Sequence, residues 1–115
     1  MKKKELLIEQ FANAVVSQRQ CVLDGDFKTG NQWAHSYVAA ARELLDGGEE
    51  SIEAFAALLL HSDEGVRCMA AAFLLKCRTT QSLVALTSVA KGAGLDALGA
   101  RETLRRYERG DLEVR

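Results

Sequence analysis

Arginine is the residue type whose spacing in this chain most clearly suggests chemistry. Arg101, Arg105 and Arg109 recur every four residues, which places them along one side of a helix. We call these three residues the arginine stripe. Guanidinium groups bind carboxylates and phosphates through paired hydrogen bonds, so the stripe is suited to docking an acidic protein surface or a phosphate backbone. Cations near the C-terminal end of a helix also stabilise its dipole, so a solvated terminal face stays open as the structural alternative.

Two aromatic residues form a second candidate binding surface. Trp33 and Tyr37 lie one helical turn apart. Large aromatic side chains often anchor protein interfaces, yet the same spacing suits two residues packed in the core of a helical hairpin. Both interpretations stay open at the level of sequence, and both residues are kept as binding candidates behind the arginines.

The sequence contains no set of residues with the spacing of a catalytic or metal site. Cys21, Cys68 and Cys77 form no CxxC pair and fall within predicted helices, and His35 and His61 have no second ligand at metal-binding spacing. The glycine-rich link before the last predicted helix follows no strand and lacks a nucleotide-binding fingerprint. We therefore predict no catalytic residues, no metal, no cofactor and no enzymatic activity.

Length, composition and charge narrow the class of protein further. The 115 residues are 48% hydrophobic and 27% charged, which fits one domain, residues 1–115, with a core of its own. A formal charge of −1 lacks the basic excess of proteins that neutralise many phosphates, which disfavours nucleic acid as a partner. No apolar run reaches the length of about 18 residues that a membrane span needs. Together with cysteines that form no disulfide pattern, this predicts a soluble, cytoplasmic protein.

Glycines and apolar periodicity divide the chain into six predicted helices, so the predicted fold class is all-α. Five of them span about residues 4–23, 27–45, 51–60, 80–91 and 95–109. The fourth opens at Ser62 or Asp63, either of which can cap it. The first two each have one apolar face and should pack as an antiparallel pair. The fourth is apolar nearly all round, which predicts a buried helix.

A weak internal repeat of about 28 to 29 residues links the second half of the chain to itself. The aligned pairs include Leu58 with Leu86, Val66 with Leu95, Ala70 with Gly99, Ala71 with Ala100 and Leu75 with Leu104. Small side chains at Ala70 and Gly99 predict that neighbouring helices approach closely at these points. The last helix would then close the stack as a terminal cap.

The segment from His61 to Leu75 resembles the HEAT-like repeat associated with phycobiliprotein lyases. The matching positions are Asp63, Val66, Arg67, Ala70, Ala71 and Leu74. The chain is also similar to a small group of uncharacterised bacterial proteins that combine a long N-terminal hairpin with one such repeat and a final Arg-containing helix. The resemblance implies antiparallel helical hairpins in a short HEAT-like, α-α superhelical stack, and it implies no particular activity. In the second copy Asp96 stands where Arg67 would fall.

Spacing within the repeat also predicts a surface ion pair. Arg67 follows Asp63 by four residues, and side chains at that separation meet on the surface of a helix. An exposed pair of this kind contributes only a few tenths of a kcal/mol. Its expected role is structural support of the hairpin turn, whereas a functional role for Arg67 would need a carboxylate or phosphate supplied by a partner.

Two functions follow from these observations, and they belong to different classes. The leading hypothesis is a protein-binding module, acting as an adaptor, a regulator or an inhibitor, that uses the arginine stripe with Trp33 and Tyr37. The alternative is a nucleic-acid-binding protein that combines the stripe with the N-terminal lysines, residues 2–4. Phosphate-driven binding weakens steeply as salt rises and a shape-driven protein interface does not, so salt dependence separates the two.

Overall fold

The six helices form where apolar periodicity and glycine placement predict them, except that residues 57–60 of the third predicted helix form a 3-10 turn. The structure is a computed structural model that describes residues 3–110. Its helices are α1 (Lys3–Leu23), α2 (Phe27–Asp46), α3 (Glu49–Ala56), α4 (Glu64–Leu74), α5 (Thr79–Ala90) and α6 (Leu95–Arg109), and a 3-10 turn at Ala57–Leu60 follows α3. Residues 3–110 contain no strand. The prediction of an all-α chain with six helices is confirmed.

The chain divides into two compact units, Met1–Phe55 and Ala56–Arg115. In the first unit, α1 and α2 pack against each other as an antiparallel pair, as predicted. Near the start of α1, Lys3 Nζ lies 3.2 Å from Glu43 Oε2. Further along α1, Gln10 Nε2 donates to Ser36 O at 3.0 Å. Contacts therefore move back along α2 as they advance along α1, which is the signature of antiparallel helices.

An aromatic cluster forms the centre of the first unit. The ring of Phe11 on α1 meets Tyr37 on α2 edge to face, with centroids 5.9 Å apart, and meets Phe55 on α3 at 5.0 Å. Phe11 and Phe55 are fully buried. Edge-to-face contacts between aromatic rings stabilise the fold beyond the free energy gained from burial alone. Because Phe11 makes two such contacts, its side chain links α1, α2 and α3.

The second unit consists of the 3-10 turn, α4, α5 and α6. Asp63 caps α4, because its carboxylate accepts a hydrogen bond from Val66 N at 3.0 Å. The residues that α4 and its C-cap bury lie around most of the helix: Gly65, Val66, Cys68, Ala70, Ala71, Leu74 and Leu75. The helix contacts the 3-10 turn, α5 and α6. The prediction of a buried fourth helix is confirmed.

The prediction that a neighbouring helix approaches closely at Gly99 is wrong. Ala70 is fully buried, as the predicted repeat requires, but a Cβ added at Gly99 would meet nothing within 4 Å among residues 3–110. The residues that α6 buries are Ala97 and Ala100, on the other side of the helix. Equivalent positions of the repeat therefore have different surroundings, because α4 has neighbours on more of its faces than α6 does within this unit.

Filling the open space at Gly99 should stabilise the second unit. Alanine lowers the conformational entropy of the unfolded chain and favours helix, so Gly99→Ala should raise the free energy of unfolding by about 0.5–1 kcal/mol. Gly47→Ala is the matched opposite, because a Cβ there would lie 2.8 Å from Ser51 Cβ. Thermal unfolding followed by circular dichroism should show a higher Tm for Gly99→Ala and a lower one for Gly47→Ala. A lower Tm for Gly99→Ala would contradict the packing described for α6.

Ser82 on α5 is a buried hydroxyl with an unusual environment. Its side chain is fully buried, and its Oγ has no hydrogen-bond partner among the described residues. It lies on the same face of α5 as Leu86 and Val89, which are also buried. A polar group removed from water without a partner lowers the stability of the fold.

Removing that hydroxyl should therefore stabilise the protein. We expect Ser82→Ala to raise the free energy of unfolding by about 1–2 kcal/mol in urea titration. Ser88→Ala is the matched control, because Ser88 is exposed on the same helix and the change brings the same gain in helix propensity of about 0.5 kcal/mol. If the two variants gain equally, the Ser82 hydroxyl has a partner and this description of it is wrong.

Candidate functional site

An apolar groove on the second unit is the candidate functional site. It lies between α5 and the 3-10 turn, and its volume is about 510 Å³. The turn side is lined by Ala56, Leu59, Leu60 and, from α4, Arg67, and the α5 side by Thr80, Gln81, Val84, Ala85 and Ser88. We call this site the α5 groove. Volumes of this size are typical of clefts that hold a ligand or several side chains of a partner.

Two large apolar side chains on the walls of the groove are in contact with solvent. Leu60 exposes 89% of its surface and Val84 exposes 66%. Leu60 follows Leu58 and Leu59 in a 3-10 turn, whose three residues per turn point in three directions, so burying the first two directs the third outward. Val84 lies two residues after the buried Ser82, which places it on the outer face of α5.

Arg67 supplies the charge in the groove. Its Nη1 donates to His61 O at 2.7 Å and to Ser62 O at 3.2 Å, while Nη2 lies 4.0 Å from Glu64 Oε2. The four-residue spacing predicted a pair with Asp63, whose carboxylate caps α4. The guanidinium is thus fixed on the backbone carbonyls that follow the 3-10 turn, and its side chain remains 25% exposed.

The arginine stripe is divided between structural and surface roles. Arg101 Nη1 donates to Ala90 O at 2.7 Å and to Gly92 O at 3.4 Å, so its acceptors are the last carbonyl of α5 and one in the following loop. Arg105 is exposed and forms an ion pair with Glu102 within α6. Arg109 is exposed in the last turn of α6. The helical spacing is as predicted, but Arg101 already has acceptors in its own chain.

The two aromatic candidates have different environments. Tyr37 packs on Phe11, and burial raises the pKa of its hydroxyl. Trp33, one turn earlier on α2, exposes 38% of its surface. Tyr37 is half-buried and belongs to the aromatic cluster of the first unit, whereas Trp33 is the more exposed of the two candidates.

The N-terminal lysines that the structure describes are paired with carboxylates. Lys3 meets Glu43 at 3.2 Å, and Lys4 Nζ meets Glu50 Oε1 at 3.1 Å. Both pairs lie around a shallow pocket of about 350 Å³ in the first unit. Lys2 lies outside the described residues. Paired lysines have less net charge to offer to a phosphate backbone, so this surface lends the nucleic-acid hypothesis little support.

Cys68 and His61 each have a defined environment in the second unit. Burial, with a smaller effect of the Asp96 carboxylate, raises the pKa of the Cys68 thiol to about 11, so this thiol is protonated at neutral pH. His61 Nδ1 accepts a hydrogen bond from Asp63 N at 3.0 Å, as part of the turn before α4.

Residues 3–110 contain no group of three or more His, Cys, Asp or Glu side chains able to hold a metal. Within the same range, no helix is long and apolar enough to span a membrane.

Comparison with known proteins does not identify a relative: no family model, curated protein or solved structure matches the chain. The HEAT-like resemblance therefore stays a prediction, and the function is inferred from the site itself. The sequence did not predict the α5 groove. The one signal for it was the run of three leucines at residues 58–60, which is longer than one face of a short turn can bury.

The two roles within the arginine stripe predict different effects on stability. Arg101→Ala removes a charged donor from two carbonyls and should lower the free energy of unfolding by about 1 kcal/mol. Arg105→Ala removes an exposed pair between residues three apart and should change it by about 0.2–0.5 kcal/mol. Urea denaturation of both variants tests this difference. Equal effects would show that the Arg101 contacts contribute no more than a surface ion pair.

Proposed function

We propose that this chain is a non-catalytic, HEAT-like helical-repeat protein that binds another protein through the α5 groove. Its expected role is that of an adaptor, a regulator or an inhibitor of that partner. The observation that carries the proposal is the pair of solvent-exposed apolar side chains, Leu60 and Val84, on the walls of a concave site formed by packed helical elements.

Leaving these two apolar side chains in water costs free energy, which a partner that covers them recovers. Each buried methylene group gains about 0.8 kcal/mol, so covering both Leu60 and Val84 supplies a substantial part of a binding free energy. Interfaces concentrate their energy in a few apolar anchors seated in pockets, with near-neutral contacts around them. The α5 groove has this layout, because Thr80, Gln81 and Ser88 provide polar groups beside the apolar walls.

The charged surfaces support a protein partner over nucleic acid, which remains the alternative function. The chain has a formal charge of −1, and within the described residues Lys3, Lys4 and Arg105 each lie beside a carboxylate. Arg101 is engaged with carbonyl groups of its own chain. A phosphate-binding surface gains its affinity from unpaired cations that release counterions, and these four residues fit that role poorly.

The proposal includes a cytoplasmic location. Cys21, Cys68 and Cys77 are free thiols. Thiols persist in compartments kept reduced, whereas oxidising compartments favour disulfides. We propose no catalytic role for Cys68 or His61, because the Cys68 thiol is protonated at neutral pH and His61 accepts a hydrogen bond in the turn before α4.

A comparison of three proteins in one affinity experiment tests the function. Tagged wild type, Leu60→Glu and Leu23→Glu are incubated with lysate of the native host at about 50 and 300 mM salt. Leu23 is the matched control, because it is a leucine 62% exposed in the first unit. We expect a stoichiometric protein to be retained at both salt concentrations by wild type and Leu23→Glu, and to be reduced at least about tenfold by Leu60→Glu.

Other outcomes of this experiment decide against the proposal. Retention of the same protein by all three baits places the interface outside the α5 groove. Recovery of nucleic acid at the lower salt concentration alone, reduced by Arg105→Ala or Arg109→Ala, supports the alternative function instead. Circular dichroism of each variant establishes that the helices are intact.

A further inference from the structure

The chemistry of the groove also specifies the kind of partner segment that fits it. We propose that the α5 groove binds an acidic amphipathic helix, which covers Leu60 and Val84 with its apolar face and places a carboxylate on Arg67. This inference rests on the proposed function and adds the secondary structure and charge of the segment that the groove receives.

The shape of the groove favours a helix. The lining residues of α5 run from Thr80 to Ser88, a distance of about 12 Å along the helix axis, or two helical turns. An amphipathic helix laid in a groove presents anchors at positions i, i+3 or i+4, and i+7, which span the same length. The small side chains of Ala85 and Ser88 on the α5 side allow the backbone of a second helix to approach closely.

The charge of the groove favours an acidic segment. Arg67 is the one charged side chain among the described residues that line the groove. Its Nη1 is occupied by two carbonyls, which fixes the guanidinium in place, and an arginine carries five N–H donors in all. Nη2 therefore has hydrogen-bonding capacity for a carboxylate of a partner, in a charge-assisted and geometrically defined contact.

The nearby Glu64 offsets the charge of Arg67 only weakly. Its carboxylate is 4.0 Å from Nη2, at the limit of an ion pair, and about half of its side chain is exposed to solvent. Exposed pairs of this kind contribute little. A neutral or basic helix covering the groove would leave a guanidinium partly desolvated without a close anion, which costs binding free energy. A carboxylate on the incoming helix removes that cost.

A second copy of this chain is a poorer occupant of the groove. In a two-fold symmetric contact each surface meets itself, so two copies of Arg67 would approach each other. Two concave surfaces placed face to face would also leave the groove volume unfilled and Leu60 without close packing. Self-association through the groove is therefore an outcome that the experiment must be able to detect.

A peptide selection on the full chain tests the inference. The probe is a displayed library of helical peptides of about 14 residues, four turns, with apolar residues fixed at i, i+4 and i+7 and the remaining positions randomised. Peptides are selected on wild type and counter-selected on Leu60→Glu. We expect the enriched peptides to share an Asp or Glu at one fixed position relative to the anchors.

The decisive measurement changes the peptide and leaves the protein intact. Replacing the shared Glu by Gln, or the shared Asp by Asn, should weaken binding to wild type about tenfold in fluorescence anisotropy. The same replacement should have little effect on binding to Arg67→Gln, which gives a double-mutant cycle for the pair. Because the first arm uses wild-type protein, it stays informative even if Arg67→Gln is less stable.

The possible failures are distinguishable. Enriched peptides that lose binding on Leu60→Glu but carry neutral or basic residues at the shared position would overturn the acidic helix and leave the proposed function standing. Selection that yields no peptide sensitive to Leu60→Glu would overturn the helical occupant, whereas the lysate experiment tests the groove independently. Concentration-dependent dimerisation of wild type, abolished by Leu60→Glu in analytical ultracentrifugation, would assign the groove to a second copy.

Discussion

The second unit depends on how it satisfies the carbonyl groups at the ends of its helical segments. The last carbonyls of a helix have no partner within that helix and need a donor from elsewhere. Arg101 of α6 provides it for Ala90 O, the last carbonyl of α5. Arg67 of α4 donates in a similar way to His61 O and Ser62 O, in the link between the 3-10 turn and α4. In both cases an arginine on the later helix donates to carbonyl groups at or after the end of the preceding helical segment. The two arginines are not at equivalent repeat positions, since Asp96 aligns with Arg67. The same interaction is thus formed from different positions of the two helices.

Closing the turns in this way positions the two faces of α5. One face, which includes Ser82, Leu86 and Val89, is buried. The other, which includes Val84, faces solvent beside the 3-10 turn, where Leu60 is directed outward. The groove lies between these two exposed side chains, and Arg67 is the one charged residue among the described residues that line it. The guanidinium of Arg67 thus has a structural contact and a proposed binding role, because its hydrogen bonds to two carbonyls also fix its position for an anion.

Charge spacing along a helix has two physical uses that a sequence cannot separate. Arginines four residues apart are equally suited to reaching a partner and to reaching carbonyls of a neighbouring helix end. Arg101 has such acceptors within its own unit, and Arg105 has a carboxylate three residues away. Leu60 and Val84 carry clearer information about binding than an isolated exposed leucine such as Leu23, because they lie together on the walls of one groove. For this reason the α5 groove is a better candidate interface than the arginine stripe.

The sequence by itself determined the features that depend on neighbours within a few residues. Glycine placement and capping set the helix bounds to within a few residues, and the Asp63 cap follows from its own side chain and the Val66 amide. A short turn between two amphipathic helices was enough to predict their antiparallel packing. Only the tertiary structure decided which faces are covered. Gly99 aligns with the buried Ala70 and yet lies in open space, and three consecutive leucines end with one in solvent. The reason is that capping is local, whereas burial depends on elements brought together from distant parts of the chain.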